Sequence, residues 1–138
     1  MRGLTLDRVI VATDDAESSV DRFGELLGLE FGEMIPGVTI EQYAVGHPGI
    51  EVAEPGDEDG EIAEILSEYG PGPVGVVFRV ADLEEVKTSL AEKGVEPLTE
   101  LDIQHAPEVL YHPEEFDGVM TVFTEYRHPV ERRESTIE

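Results

Sequence analysis

The sequence predicts an α+β fold in which two βαβββ modules form a curved mixed sheet around a cleft. An internal repeat, helical spacing of apolar residues in both copies and strand-like stretches after each helix support this prediction. We expect module one over residues 4–54, a linker over 55–73, module two over 74–127 and a tail over 128–138. A βαβββ unit leaves one face of its sheet uncovered, and a cleft enclosed by two such faces is the default place for a ligand.

The first strand of each module is predicted from the repeat itself. Residues 8–30 and residues 75–96 align as two copies, and each copy begins with a short run rich in β-branched residues. These runs lie at residues 9–11 and 76–78. Such residues favour strands because their side chains pack well on a pleated surface.

One helix is predicted in each copy, between an Asp and a Gly. Asp15 and Asp82 are suited to the N-cap, where a side-chain oxygen accepts hydrogen bonds from unpaired backbone N–H groups. Gly28 and Gly94 are expected to end the helices, because Gly adopts the left-handed conformation without steric cost. The apolar residues at helical spacing are Ala16, Val20, Phe23 and Leu27 in the first copy and Leu83, Val86 and Leu90 in the second.

Three further strands are predicted after each helix. They lie near residues 30–35, 38–45 and 49–53 in the first half and near 96–99, 107–112 and 119–125 in the second. Turns that contain Gly or Pro separate them. The linker is rich in Glu, Asp, Gly and Pro, and a short helix is predicted within it over residues 62–69.

Charge and composition narrow the possible functions. The chain of 138 residues carries 32 Asp and Glu residues against 9 Lys and Arg residues, a net charge of −23. That balance argues against a nucleic-acid partner, which needs clusters of Lys and Arg. Because molar salt screens the self-repulsion of such a charge, we predict a halophilic protein from a salt-rich cytoplasm. An ordinary acidic protein is the alternative.

Features that the sequence lacks exclude further classes of protein. There is no Cys, so disulfides, thiolate metal sites and Cys nucleophiles are excluded. No apolar run approaches the roughly 18–20 residues that a membrane span needs. The first residues lack the long apolar stretch and cleavage site of a signal peptide. We therefore expect a cytoplasmic protein with no membrane partner.

Four sequence segments follow one another in a characteristic order and spacing over about residues 4–127: LDRVIVATDDAESSVDRFGELLGLEF, GIEVAEP, VGVVFRVADLEEVKTSLAEKGVEPL and HPEEFDGVMTVFTEY. Together they resemble the vicinal oxygen chelate superfamily, which contains glyoxalases, bleomycin-resistance proteins, extradiol dioxygenases and methylmalonyl-CoA epimerases. The stretch from residue 49 to residue 95 is most similar to the epimerase branch. The resemblance implies a glyoxalase-like fold and, because many relatives dimerise, a homodimer.

The resemblance also implies a divalent metal held by one residue from each of four strands. The four ligand positions fall on Arg8, Glu51, Gly75 and Val122, or on Thr121 in place of Val122 if the last strand shifts by one residue. Arg offers only donors, and Gly and Val have no coordinating side-chain atom. Three of the four positions therefore lack a ligand, and we expect no metal and no other cofactor.

Arg8 and Glu51 are the leading candidates for a functional pair. A carboxylate facing a half-buried cleft is costly to leave alone, and Arg8 could compensate it through a bidentate pair. Arg8 then either neutralises Glu51, receives an anionic ligand, or is wholly exposed. Tyr43 and His112 are further substrate-binding candidates. Tyr43 is expected in the core or the cleft wall, and His112 at the cleft mouth or in a hydrogen bond at a loop edge.

The predicted function is a metal-free, glyoxalase-like protein that binds a small molecule, with an anionic ligand suggested by Arg8. The first alternative is an isomerase or lyase that resembles methylmalonyl-CoA epimerase or glyoxalase. In it Arg8 and Glu51 are catalytic: Arg8 stabilises an enolate oxygen and Glu51 moves the proton. The second alternative is a non-catalytic interaction module whose cleft has filled with side chains.

Overall fold

The computed structural model describes residues 3–37, 42–56, 60–102 and 106–126. Its strands are β1 (Thr5–Ala12), β2 (Ile35–Pro36), β3 (Gln42–Gly46), β4 (Ile50–Glu54), β5 (Gly72–Arg79), β6 (Thr99–Asp102), β7 (Pro107–Tyr111) and β8 (Met120–Thr124). Its helices are α1 (Ala16–Leu27), α2 (Glu61–Tyr69) and α3 (Leu83–Glu92), with a 3₁₀ helix over Pro113–Phe116. The element order contains two successive βαβββ sets, so the predicted α+β fold is confirmed.

The chain divides into two compact units, each of which contains one four-stranded arrangement. One unit is Arg8–Val74, and the other is Gly75–Glu138 together with Met1–Asp7. The first half has the strand order β2-β3-β4-β1, and the second half has the matching order β6-β7-β8-β5. In each half the last two strands in this order are parallel, β4 with β1 and β8 with β5, and the other neighbours are antiparallel. The internal repeat is therefore a repeat of topology.

Both helices of the repeat begin at the predicted caps. The Asp15 side chain accepts from the backbone N–H of Ser18, and the Asp82 side chain accepts from that of Glu85, both over 3.2 Å. These bonds satisfy N–H groups that have no partner within the helix.

The two helices end differently. Gly28 caps α1 in the left-handed conformation, with φ at 74°, as predicted. Helix α3 ends one residue earlier than predicted, because its C-cap is Lys93 with φ at −98°. Gly94 follows with φ at +84°, so the left-handed residue lies just beyond the cap.

Each helix covers one face of its own four strands. Ala16 on α1 packs with Ala44 and Val52 in a core that also includes Phe23 and Phe31. Seven buried residues form the equivalent core under α3: Val80, Leu83, Val86, Leu90, Val109, Tyr111 and Phe123. The opposite face of each sheet is therefore the face available for the site residues.

The strand after α1 is shorter than predicted. Only Ile35–Pro36 pairs as β2, against a predicted strand near residues 30–35. Phe31 forms an isolated bridge with Gly46 instead. The next strand, predicted near 38–45, begins at Gln42 among the described residues, and residues 38–41 lie outside them.

A Glu at the end of the last strand of each half binds the start of that half's helix. Oε1 of Glu54 accepts from the backbone N–H of Ala16 over 2.9 Å and from Gln42 over 3.1 Å. Oε1 of Glu125, just after β8, accepts from the backbone N–H of Leu83 over 2.7 Å. Each carboxylate thus ties a strand end to the positive end of a helix dipole.

Glu125→Ala is expected to lower the free energy of unfolding by about 1–2 kcal/mol, because it removes a charge-assisted bond at a helix N-terminus. Glu54→Ala is expected to cost at least as much, since it removes two bonds. Chemical unfolding measured in molar KCl checks both values. Glu115→Ala is the control, because Glu115 is exposed and should change stability by less than about 0.5 kcal/mol. Equal stability of all three variants would contradict this role for the two strand-end carboxylates.

Candidate functional site

Arg8 on β1 and Glu51 on β4 form a buried ion pair. Nε of Arg8 donates to Oε1 of Glu51 over 2.6 Å, and the two side chains are 8% and 9% exposed. The parallel pairing of β1 with β4 brings these residues together across 43 positions of sequence. The predicted proximity of the two charges is therefore present, and the alternative with a wholly exposed Arg8 is wrong.

The pair lies on the face of the first sheet that α1 does not cover. Ile10 is opposite Glu51 in the register of β1 and β4, and Arg8 is two residues before Ile10, so all three share a face. Ile10 is itself buried, at 4% exposure. We call this the Arg8 face. The charge pair thus lies beside a buried apolar side chain, and water has little access to either charge.

Tyr43 also belongs to the Arg8 face. It is opposite Ala53 on β4, and Ala53 is two residues beyond Glu51. Tyr43 is half-buried, whereas Ala53 is fully buried. The structure therefore brings Arg8, Glu51 and Tyr43, three of the four predicted substrate-binding residues, to one face of the first half, and their binding role stays a prediction.

His112 belongs to the other unit and takes part in a local cap. It is the N-cap of the 3₁₀ helix, and its Nδ1 accepts from the backbone N–H of Glu114 over 3.0 Å. An accepting Nδ1 places the proton of a neutral imidazole on Nε2. The expected hydrogen bond at a loop edge is thus observed, and a contact of His112 with substrate stays a prediction. The adjacent Tyr111 is fully buried, and burial raises the pKa of its phenol.

The second half has different residues at the positions equivalent to Arg8 and Glu51. The backbone N–H of Thr13 donates to Ala53, and that of Val80 donates to Thr124, so these bonds match between the repeats. The residue five positions before Thr13 is Arg8, and the residue five positions before Val80 is Gly75, so these two are equivalent. In the same way, Glu51 is two positions before Ala53 and Val122 is two positions before Thr124. In the register of β5 and β8, Val122 is opposite Val77, the equivalent of Ile10.

That register decides between the two alternatives for the last position. Val122 is on the face that α3 does not cover, as Glu51 is in the first half. Thr121 is on the opposite face, because it is two residues before Phe123 and opposite Tyr111, both of which lie in the core under α3. Its hydroxyl donates to the carbonyl of Val119 over 3.0 Å. Val122 therefore occupies the predicted position, and the shifted register with Thr121 is wrong.

Gly75 lies unusually close to the neighbouring strand. It is opposite Met120 in the register of β5 and β8. A Cβ placed on Gly75 would lie 2.5 Å from the carbonyl oxygen of Met120 and 3.1 Å from its Cβ. Only Gly fits this position while β8 keeps its place.

A second buried charge cluster was not predicted from the sequence. Asp7 has a fully buried side chain, and Nη1 of Arg79 donates to its Oδ1 over 3.3 Å. The hydroxyl of Tyr126 donates to Oδ2 of Asp7 over 2.8 Å. All three residues belong to the unit that contains Gly75–Glu138. A charged residue inside an apolar strand, in a chain with only 9 Lys and Arg residues, is the signal that could have found Arg79.

The ligand positions of neither half supply the donors that a divalent metal requires. Within the described part of the chain, no three His, Asp or Glu side chains form a group able to hold a metal ion. The first half offers one carboxylate, and a guanidinium already binds it at 2.6 Å. Gly75 and Val122 offer no coordinating side-chain atom. These four residues do not fit a divalent metal.

The fold and the repeated βαβββ topology define the class of protein, and a family model identifies it. The model of the Glyoxalase/Bleomycin resistance protein/Dioxygenase superfamily matches residues 5–123. The chain belongs to this superfamily. Comparison with curated proteins gives no significant match. Among the described helices, none is both long enough and apolar enough to cross a membrane.

Solved structures share the fold at low sequence identity. A methylmalonyl-CoA epimerase from Mycobacterium tuberculosis is 24% identical over 91% of this chain and 89% of its own, with a TM-score of 0.78. A Streptomyces coelicolor methylmalonyl-CoA epimerase variant in complex with 2-nitronate-propionyl-CoA is 21% identical over 91% of this chain and 100% of its own, with a TM-score of 0.80. A hypothetical protein from Bacillus halodurans C-125 is 22% identical over 95% and 100%, with a TM-score of 0.81. These similarities establish the glyoxalase-like fold.

Proposed function

We propose that this chain is a glyoxalase-like small-molecule-binding protein that works without a divalent metal, and that Arg8 is the group that receives an anionic ligand. The observation that supports it is the buried contact between Arg8 and Glu51 on the face that α1 leaves open. A guanidinium is planar with its donors in a fixed fork, so a carboxylate that accepts from Nε fixes the orientation of the whole group. A buried pair adds little net stability over apolar residues, so stability alone is a weak reason to keep it.

The chemistry of the ligands in the structural neighbours agrees with an anionic oxygen at Arg8. Solved epimerases of this fold bind methylmalonyl-CoA or 2-nitronate-propionyl-CoA. Both acyl groups carry charged oxygens, carboxylate in the first and nitronate in the second. The guanidinium suits such planar oxygen pairs because its N–H groups bind two oxygens in parallel. We therefore propose a small carboxylate or a related oxyanion as the ligand class.

A thermal-shift screen in 2 M KCl tests this function. Its probes are small carboxylates, α-keto acids, aromatic acids and acyl-CoA thioesters. A ligand at one hundred times its Kd is expected to stabilise the protein by about 2.7 kcal/mol, which raises the midpoint by roughly 10 °C. The variant Arg8→Met/Glu51→Leu should fold but show no rise. Arg22→Met is the matched control, since Arg22 is an exposed residue of α1 and its loss should leave the rise intact.

Two outcomes of this screen count against the proposal. If the double variant keeps the full rise for a ligand that stabilises the wild type, Arg8 does not receive that ligand. If no probe class raises the wild-type midpoint, the pair is structural and the interaction-module alternative is favoured.

The isomerase or lyase alternative is favoured by the closeness of a cation and a carboxylate. With Nε of Arg8 2.6 Å from Oε1 of Glu51, one group could stabilise an enolate oxygen while the other removes and returns the α-proton. Incubation of methylmalonyl-CoA in D₂O, followed by NMR, detects exchange at the α-carbon. Exchange that Glu51→Gln abolishes would support this alternative, and no exchange above the buffer rate would exclude it for that substrate. A homodimer and a cytoplasmic location stay predictions.

A further inference from the structure

The backbone of the second half contains a feature that agrees with the metal-free function proposed above. In the first half, the two ligand positions hold an ion pair, Arg8 with Glu51. A ligand side chain could in principle be restored there by substitution, because both positions already carry long side chains. The second half differs, because one of its two positions has no room for any side chain.

A Cβ added at Gly75 would meet a backbone atom, which cannot rotate away as a side chain could. A Cβ there would lie 2.5 Å from the Met120 carbonyl oxygen, well inside the separation of two atoms in contact. The opposed strand cannot move outwards freely, since all five residues of β8 are buried. The residues after Met120 also pair with β5, and this pairing puts Val122 opposite Val77. Relief of the clash would therefore disturb the register of the whole strand pair.

The charge in the first half opposes a metal independently. Arginine is cationic at ordinary pH, and Nε of Arg8 is already 2.6 Å from Oε1 of Glu51. A dication bound to that carboxylate would face the guanidinium at short range, and like charges at that range repel strongly in a buried setting.

We infer that the close approach of Gly75 to Met120 closes the second half's ligand position, so that no donor side chain can be restored there while β5 and β8 keep their register. This inference rests on the metal-free function, and it adds a structural determinant, Gly75. It specifies that the strand pair β5 and β8 must be rebuilt before an imidazole can occupy that position.

Paired glycine variants on β5 test the closure. Gly75→Ala and Gly75→His should each lower the unfolding midpoint in 2 M KCl by roughly 5–10 °C, because the Cβ common to both makes the clash. Gly72→Ala is the matched control on the same strand, since a Cβ at Gly72 meets no atom within 4 Å and should shift the midpoint by less than about 2 °C. Wild-type stability in Gly75→Ala would overturn the inference, and loss of folding would support it.

Metal binding is measured separately on proteins that fold normally. Wild type and Arg8→His are dialysed against Co²⁺ in 2 M KCl, where surface carboxylates are screened, and visible absorbance reports coordination. Both should hold less than about 0.1 equivalent of bound Co²⁺, because the two ligand positions of the first half offer at most one imidazole and one carboxylate, fewer than the three or four protein ligands of a usual site. One equivalent in the wild type would overturn the metal-free function itself. One equivalent in Arg8→His alone would leave the closure itself standing but would overturn the role of Gly75 as a determinant of the metal-free state.

Discussion

Glu51→Ala is expected to lower the free energy of unfolding by about 3–5 kcal/mol, the usual cost of removing one partner from a buried ion pair. The substitution takes away the carboxylate that lies 2.6 Å from Nε of Arg8, while the Arg8 side chain is only 8% exposed. The Arg8 guanidinium then loses the partner of its Nε in a place that water hardly reaches. Arg8→Met should cost a similar amount, because it leaves the Glu51 carboxylate in the same buried place. Urea unfolding in 2 M KCl measures both values.

The double variant Arg8→Met/Glu51→Leu separates the pair's charge from its packing. Two apolar side chains of similar volume often match a buried ion pair in stability, so this variant should return to within about 1 kcal/mol of the wild type. The sum of the two single costs would then exceed the cost of the double variant by several kcal/mol. Lys87→Met is the control, because Lys87 binds Glu100 over a similar 2.7 Å but the Glu100 side chain is 55% exposed. That exposed pair should contribute less than about 1 kcal/mol.

A small cost for both single variants would mean that water reaches the pair despite its low exposure. The Arg8 face would then be more open than the burial of Ile10 suggests, and the structural interpretation of the pair would fail. Large single costs with a stable double variant would leave ligand binding as the remaining reason for two charges on this face.

The fold could be predicted because the same pattern of strand, helix cap and helix occurs in both copies of the internal repeat. Asp15 and Asp82 cap helices by bonds to backbone three residues away, so local sequence carries that information. The Arg8–Glu51 contact was also predictable, because the family resemblance placed both residues at ligand positions on facing strands. The helix caps are local signals and need no knowledge of tertiary packing, whereas the ion pair joins residues 43 positions apart.

The contacts that escaped prediction join distant parts of the chain. Asp7 meets Arg79 across 72 positions and Tyr126 across 119, and no periodicity links such positions. The choice between Thr121 and Val122 needed the register of β8, since a slip of one residue exchanges the two faces of a strand. The closure at Gly75 depends on an approach of two backbones, which a glycine in a strand suggests but does not locate.

The unfolding midpoint is expected to rise by roughly 10 °C or more between 10 mM and 2 M KCl. The chain has a net charge of −23 on 138 residues, and its folded form holds these charges close together. The Debye length falls from about 30 Å at 0.01 M to about 3 Å at 1 M salt, so repulsion across the surface is lost by then. Arg8 and Arg79 do little to reduce the repulsion between surface acids, because both are in buried ion pairs.

The described helices have the charge distribution that makes this repulsion costly. None of α1, α2 and α3 carries a basic residue in its last turn, where a cation would stabilise the helix dipole. Replacing four exposed acids by amides should therefore raise stability in dilute buffer and reduce the gain from salt. The variant for this test is Glu25→Gln/Glu64→Gln/Glu92→Gln/Glu115→Gln.

The shape of the salt curve distinguishes screening from a general effect of concentrated salt. Screening should give most of its gain below about 1 M KCl, because the Debye length is by then shorter than the spacing of surface charges. A Hofmeister effect would instead continue to rise with concentration and would be much larger in sulfate than in chloride. Equal midpoints in dilute buffer and in 2 M KCl would remove the halophilic prediction. They would show that the acidic surface is tolerated without salt, as in an ordinary acidic protein.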